Sequence, residues 1–410
     1  MSCATVMQDL RTFTNELMMK EGIEDYDLHI KGYSEKGENY LGDVTFFSVV
    51  SKESKKKYNL VMKTAKRSEE LRKVMPVGMA YKRESFMYRE IFPEMRKFLK
   101  SAGDIVSIDY VPKIYSLCDE EGRESLIMEN LNDLGYRLSN RKKPMDLECV
   151  LLVLKTLGKY HAVSMAMREK SPKIFEDKAQ HLTNIRLKFL ESTDSEAYNT
   201  PLIENACKLL EQAGRQDLAD KIDDKIKKQV LPLTCSLTSE EDKLVICHGD
   251  CWNNNIMFKY DGAEDVKPTG ICFVDFQLSM FDSPIKDLSY FIYTACDKSS
   301  LDKFGHLLQV YYDSVCSTLE KLECKPEEYF TYQYLMDQWK KYGAYGLILS
   351  AMMVKVELLS GEEAPDIVEI AATGTDSVKA KNSVNLKIEN EDEYNERILH
   401  VFTHFAETFL

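Results

Sequence analysis

Apolar residues recur at Val6, Leu10, Phe13 and Leu17, the spacing of one helical face, and predict an amphipathic helix over residues 5–20 whose stripe serves packing. From His29 to Val50 and from Asn59 to Thr64 the pattern changes to short β-favouring stretches parted by Gly- and Lys-containing turns, which predicts three antiparallel strands. Residues 78–100 return to a helical period. Val111 to Cys118 and Ser125 to Met128 read as two further strands, divided by the turn Asp119-Glu120-Glu121-Gly122. The expectation is a five-stranded N-terminal lobe with one main helix, residues 1–128. The polar run Glu129-Asn130-Leu131-Asn132-Asp133 then marks the junction to a second lobe, residues 129–410.

That second lobe reads as mostly helical. Cys149 to Met167 carries apolar residues at helical spacing, and residues 201–229, 301–321 and 328–358 follow the same rule. Two short β-favouring runs interrupt it, Lys243 to Cys247 and Thr269 to Asp275, each leading straight into polar residues. Residues 360–392 are rich in charge, Gly, Thr and Ser, and predict a long loop. Order returns at the end, where Ile398, Val401, Phe402, Phe405 and Phe409 form an apolar stripe. Glu396, Arg397 and Glu407 opposite it do not supply the basic face of a membrane-surface helix, so the stripe is expected in a core. The fold class is α+β.

Composition narrows the function classes. The chain has 410 residues, 44% hydrophobic and 30% charged, a size and make-up suited to two packed lobes with a cleft between them. A formal net charge of −13 lacks the basic footprint that nucleic acid or anionic membrane demands. The first 20 residues do not read as a secretory leader, and no run of about 18 apolar residues stands out. Eleven cysteines without a C-x-x-C pair suggest thiols in a reducing compartment. A cytoplasmic protein is expected, without membrane, nucleic-acid or obligate protein partners.

Chemistry concentrates in His248-Gly249-Asp250-Cys251-Trp252-Asn253-Asn254-Asn255, which follows the apolar run Leu244 to Cys247. Phosphoryl transfer to an alcohol needs a carboxylate to orient and accept the hydroxyl proton and an oxygen ligand nearby for Mg²⁺; Asp250 and Asn255 fit those roles at the H-x-D-x-x-x-x-N spacing of a kinase catalytic loop. Further on, Gly270 to Val274 leads into Asp275-Phe276-Gln277, and Asp275 at a strand end suits a second metal ligand. Zinc on Cys247, His248 and Cys251 is disfavoured, because no second ligand pair appears elsewhere. Lys63, on an apolar strand, needs an anionic partner, and Glu84 on the following helix suits the kinase lysine–glutamate pair, with ATP phosphates as the further anion. Gly37 and Asn39, in the turn Ser34 to Gly42, are candidates to approach those phosphates through the backbone. Asp287 is expected to brace the catalytic loop by accepting hydrogen bonds, with His248, while His161 reads as a hydrogen-bonded core histidine. Trp252, Tyr290 and Phe291 are candidate apolar surface for an acceptor.

Taken together, Lys63, Glu84, Met128-Glu129-Asn130-Leu131, Tyr160-His161-Ala162, the His248 to Asn255 run, Val274-Asp275-Phe276-Gln277 and Asp287-Leu288-Ser289-Tyr290 resemble the ecdysteroid kinase-like family, which is related to choline kinases and aminoglycoside phosphotransferases. The resemblance covers roughly residues 30–360. It implies a bilobal protein-kinase-like fold and an ATP- and Mg-dependent transfer of the γ-phosphate to a hydroxyl of a small molecule. Asp250 is then the base, Asn255 and Asp275 the metal ligands, and Lys63 and Glu84 the phosphate anchor, with Glu129 and Leu131 at the nucleotide-binding hinge. The acceptor it points to first is an ecdysteroid, an insect moulting hormone, or a xenobiotic alcohol. A cationic alcohol of the choline or aminoglycoside kind is the alternative acceptor, and a catalytically silent binding protein the alternative class. Gln277 stands where protein kinases have Gly, which argues for a site assembled without activation-loop phosphorylation.

Overall fold

The computed structural model describes residues 3–34, 41–186, 195–229, 238–239, 242–262, 267–360, 363, 368 and 388–410. The first helix, α1 (Cys3–Lys20), precedes β1 (Tyr26–Tyr33), β2 (Gly42–Ser51) and β3 (Lys57–Ala65). A bent helix follows, composed of α2 (Val77–Phe86), a π turn (Met87–Ile91) and α3 (Phe92–Ser101). Strands β4 (Ile114–Cys118) and β5 (Ser125–Glu129) complete an antiparallel five-stranded sheet of order β1-β2-β3-β5-β4.

The period of two in β3 decides what each face of this sheet does. Tyr58, Leu60 and Met62 join Phe47, Val49 and Ile127 against Leu10, Phe13, Leu17 and Met18 of α1, one sealed apolar cluster. Lys63 points to the opposite face, where the α2–α3 helix lies. Leu126 and Met128 on that face belong to a second, larger core, which also holds Met95 and Phe98 of α3 and continues through the helical half of the molecule. The long helix therefore packs in both halves at once.

Beyond the sheet come β6 (Tyr136–Leu138) and α4 (Leu147–Lys170). Among the described residues α4 is the one helix long and apolar enough to cross a membrane, and 78% of its apolar window is buried inside the protein. After the helices Pro172–Ala179, Ser195–Gln212 and Gln216–Lys225 come β7 (Val245–Cys247), β8 (Ile256–Lys259), β9 (Gly270–Phe273) and β10 (Met280–Asp282), and further on α5 (Pro284–Ala295), α6 (Phe304–Lys321), α7 (Ala344–Leu358) and α8 (Glu391–Phe409). β7 pairs with β10, and β6-β8-β9 form a three-stranded sheet. The helical stretch expected over 328–358 is present as the helix Tyr332–Tyr342 and α7. The chain breaks at Gly343, where a Cβ would stand 2.7 Å from the Trp339 carbonyl, and two helices result. Most of the loop expected over 360–392 lies outside the described residues, and its end is already helical, since α8 opens at Glu391. The stripe Ile398, Val401, Phe402 and Phe405 is buried, as the pattern required.

Candidate active site

β7 and β10 bring two turns side by side, and β8 pairing with β9 brings a third. The first turn, His248 to Trp252, leaves β7 with Gly249 at φ +81°, where a Cβ would lie 1.9 Å from the Leu278 carbonyl oxygen; only glycine fits both the angle and the space. Asp287, on the first turn of α5, reaches back into it. Its Oδ2 accepts from His248 N at 2.7 Å and its Oδ1 from Gly249 N at 2.8 Å. His161 Nε2, on α4, lies 3.2 Å from the same Oδ2, and its Nδ1 lies 3.0 Å from Tyr311 Oη. Burial alone would raise the Asp287 carboxyl; the hydrogen bonds from His161 and from the Gly249 amide hold it below its ordinary range.

His248 is fully buried, and burial lowers its pKa, so the ring is neutral. Asp250 N donates to its Nδ1 at 3.2 Å, which leaves Nε2 to donate to Val274 O at 3.1 Å. The ring thus spans from the first turn to the end of β9. The ligand atoms of His161, Cys247 and Asp287 lie within 4.8 Å of one another. Burial pushes the Cys247 thiol well up, away from the thiolate that a metal takes, and its Sγ points at the Asp282 and Ser283 carbonyls. This trio is a brace.

Asp250 and Asn255 meet in the turn itself: Asn255 Nδ2 donates to Asp250 Oδ2 at 3.0 Å and to Asp250 O at 2.9 Å. With Nδ2 engaged in this way, Oδ1 is the amide atom that could take a cation. Val274 N donates to Asn255 O at 3.0 Å, which sets Asp275 beside the same turn. Asp275 itself has φ +66° and ψ +67°, a left-handed conformation uncommon for a residue with a side chain and of the kind retained at functional sites.

Across from these turns, Lys63 Nζ lies 2.8 Å from Glu84 Oε2 and 2.8 Å from Asp275 Oδ1. Glu84 is fully buried. Burial and the neighbouring Asp275 push its carboxyl up, to about 7, against the pull of Lys63. One ammonium facing two carboxylates leaves the cluster short of positive charge, and its donors are hard oxygens; a divalent cation bound to phosphates suits that set. Glu129 ends β5 with its N–H spent on Lys113 O, and Leu131 opens the 3₁₀ turn Leu131–Leu134. Gly37 and Asn39 lie outside the described residues.

Of the expected acceptor surface, Tyr290 is buried with its hydroxyl donating to Asp250 Oδ1 at 3.2 Å, and Trp252 is 6% exposed. The expectation of apolar acceptor surface is corrected for all three: Trp252, Tyr290 and Phe291 belong to the large core, and α5 is buried all round. Two residues at the site had no signal in the sequence. Arg186 Nη2 donates to Asp250 Oδ1 at 2.6 Å, and Arg83, beside Glu84, donates to the carbonyls of Thr183 at 2.8 Å, His181 at 3.0 Å and Ser279. Neither falls in a motif, and their partners are 64 to 196 residues away.

A model of the ecdysteroid kinase-like family matches residues 36–324. The chain belongs to the ecdysteroid kinase-like family. This is a kinase-like phosphotransferase family of small-molecule kinases, and the matched span holds every site residue named above. No curated protein matches this ecdysteroid kinase-like chain. Among solved structures it is similar to an ethanolamine kinase of Plasmodium vivax, at 14% identity and a TM-score of 0.41 over 97% of this chain and 89% of that one. It is also similar to an aminoglycoside-3'-phosphotransferase of type VIII, at 10% identity and a TM-score of 0.29 over 96% and 99%. At such scores neither likeness informs fold or acceptor.

Proposed function

We propose that this ecdysteroid kinase-like protein transfers the γ-phosphate of ATP, with Mg²⁺, to a hydroxyl of a small neutral alcohol, an ecdysteroid or related polycyclic or xenobiotic compound. One observation carries the reading: Asp250, Asn255 and Asp275 stand at adjoining turns, and a buried lysine–glutamate pair reaches Asp275 from the opposite side.

In this reading Asp250 orients the acceptor hydroxyl and takes its proton on Oδ2. Asn255 Oδ1 and Asp275 would hold the metal, and Lys63, kept in place by Glu84, would turn from Asp275 to the phosphates. Bound Mg²⁺–ATP supplies the phosphoryl group and the positive charge that offsets the carboxylates. The buried brace of Asp287, His161 and His248 keeps the turn rigid, so positioning rather than strong basicity does most of the catalysis. A choline-like acceptor is disfavoured, because the Arg186 guanidinium beside Asp250 repels a second cation. A silent binding protein would be expected to lack one of Lys63, Asp250, Asn255 or Asp275, and this chain has them all.

The test is incubation with labelled ATP and a panel of ecdysteroids, plant glycosides and choline, read by mass. A product heavier by one phosphate is expected from a neutral alcohol. Asp250→Ala should lower turnover by about 10²-fold or more; turnover at the parental rate would show the base to be elsewhere.

A further inference from the structure

The carboxylate of Asp250 is unusually well occupied. Oδ1 accepts from Arg186 Nη2 at 2.6 Å and from Tyr290 Oη at 3.2 Å, and Oδ2 accepts from Asn255 Nδ2 at 3.0 Å. A carboxylate offers about four lone-pair positions. Three of them are filled here, and the one left is on Oδ2.

Arg186 is held for this contact from several directions. Asn184 Oδ1 accepts from Arg186 N at 3.0 Å, Phe281 N donates to Leu182 O at 2.8 Å, and Arg83 clamps the His181 and Thr183 carbonyls. Nη2 also donates to Gly249 O at 3.2 Å, so the guanidinium grips both the carboxylate and the backbone just before it. Its carbon lies 5.4 Å from the Tyr290 ring centre.

We infer that Arg186 is a positioning residue: with Tyr290 it fixes the Asp250 carboxylate so that its remaining lone pair, on Oδ2, faces the acceptor hydroxyl. The inference rests on the function proposed above. It assigns Arg186 no contact with the nucleotide, so the effect falls on turnover and not on nucleotide affinity.

The experiment compares the parent with Arg186→Ala, Arg186→Lys and Asp250→Asn, using whichever acceptor the mass panel identifies. In Arg186→Ala kcat should fall about 10²-fold, while KM for ATP and the thermal stabilisation by ATP with Mg²⁺ stay within about twofold of the parent. Guanidinium ion at millimolar concentration should restore at least about 10-fold of that loss in Arg186→Ala and nothing in Asp250→Asn, since a freed pocket beside an intact carboxylate can be refilled. A merely structural arginine would not show rescue. Arg186→Lys should keep the fold and lose about 10-fold in kcat, because an ammonium cannot reproduce the planar fork. Parental kcat in either Arg186 variant, or no rescue in Arg186→Ala, overturns the inference; if Arg186→Ala fails to melt cooperatively, the kcat of Arg186→Lys decides. Should the parent phosphorylate nothing on the panel, the proposed function fails, and that outcome is distinct from the others.

Discussion

At Asp287 the chemistry of a single oxygen pair can be tested. Both oxygens face donors, His248 N and Gly249 N, with His161 beyond. Asp287→Asn keeps the shape and replaces one acceptor by an NH₂, which sets a donor against a buried backbone donor. The expected cost is about 1–3 kcal/mol, seen as a lower denaturation midpoint, together with a fall in kcat as the Asp250 turn loosens; an unchanged midpoint would mean that the brace does not hold the turn. Asp287, like Asp250, Asn255 and Asp275, was legible in the sequence because it lies in a short run beside an apolar segment, where residue type and spacing speak for the same chemistry. Lys63 and Glu84 were legible as a strand lysine and a helix acid in need of each other. Arg186 and Arg83 were not, because an arginine outside a motif carries no mark of which carbonyl or carboxylate the folded chain brings to it.

At the scale of elements, periodicity revealed what was long. α1, the five sheet strands, α4, α6 and the C-terminal stripe follow from apolar spacing. The three-residue strands β6 and β10 did not, since so few residues show no alternation and their pairing is imposed from elsewhere. The π turn within the α2–α3 helix also left no trace in the pattern, although it falls just after Glu84. Between α7 and α8 the apolar packing encloses one buried polar contact: Glu357 Oε2 lies 2.8 Å from Arg397 Nη2, with the glutamate fully buried. Burial lifts the Glu357 carboxyl from 4.5 to about 7 against the pull of Arg397. A folded value above the unfolded one means that this group's contribution is complete below about pH 4.5 and is lost as pH rises through 7. The loss amounts to about 3 kcal/mol at most. Glu357→Gln cannot titrate, so its stability relative to the parent should improve steadily from pH 5 to pH 8 in urea denaturation. A difference independent of pH would refute the assignment.

Across the whole molecule, one core runs from Leu126 and Met128 of the sheet, through α3, to the helices packed around the turns of Asp250 and Asp275, while the smaller cluster under α1 stands apart. The buried face of α3, with Phe92, Met95, Phe98 and Leu99, packs into this shared core. Arg83 is where this continuity becomes polar. Burial lowers its pKa to about 10, yet its guanidinium joins α2 to the carbonyls of His181, Thr183 and Ser279, and so to the segment bearing Arg186 and the strand edge beside Gly249. Arg83→Met retains the apolar stem and strips the donors from three carbonyls, of which that of Ser279 is buried and those of His181 and Thr183 are partly so. We expect a loss of about 1–3 kcal/mol and, more tellingly, faster amide exchange in residues 181–186 and 278–281 together, two stretches joined through one side chain. Faster exchange confined to α2 would show that Arg83 stabilises its own helix and does not tie α2 to the segment bearing Arg186.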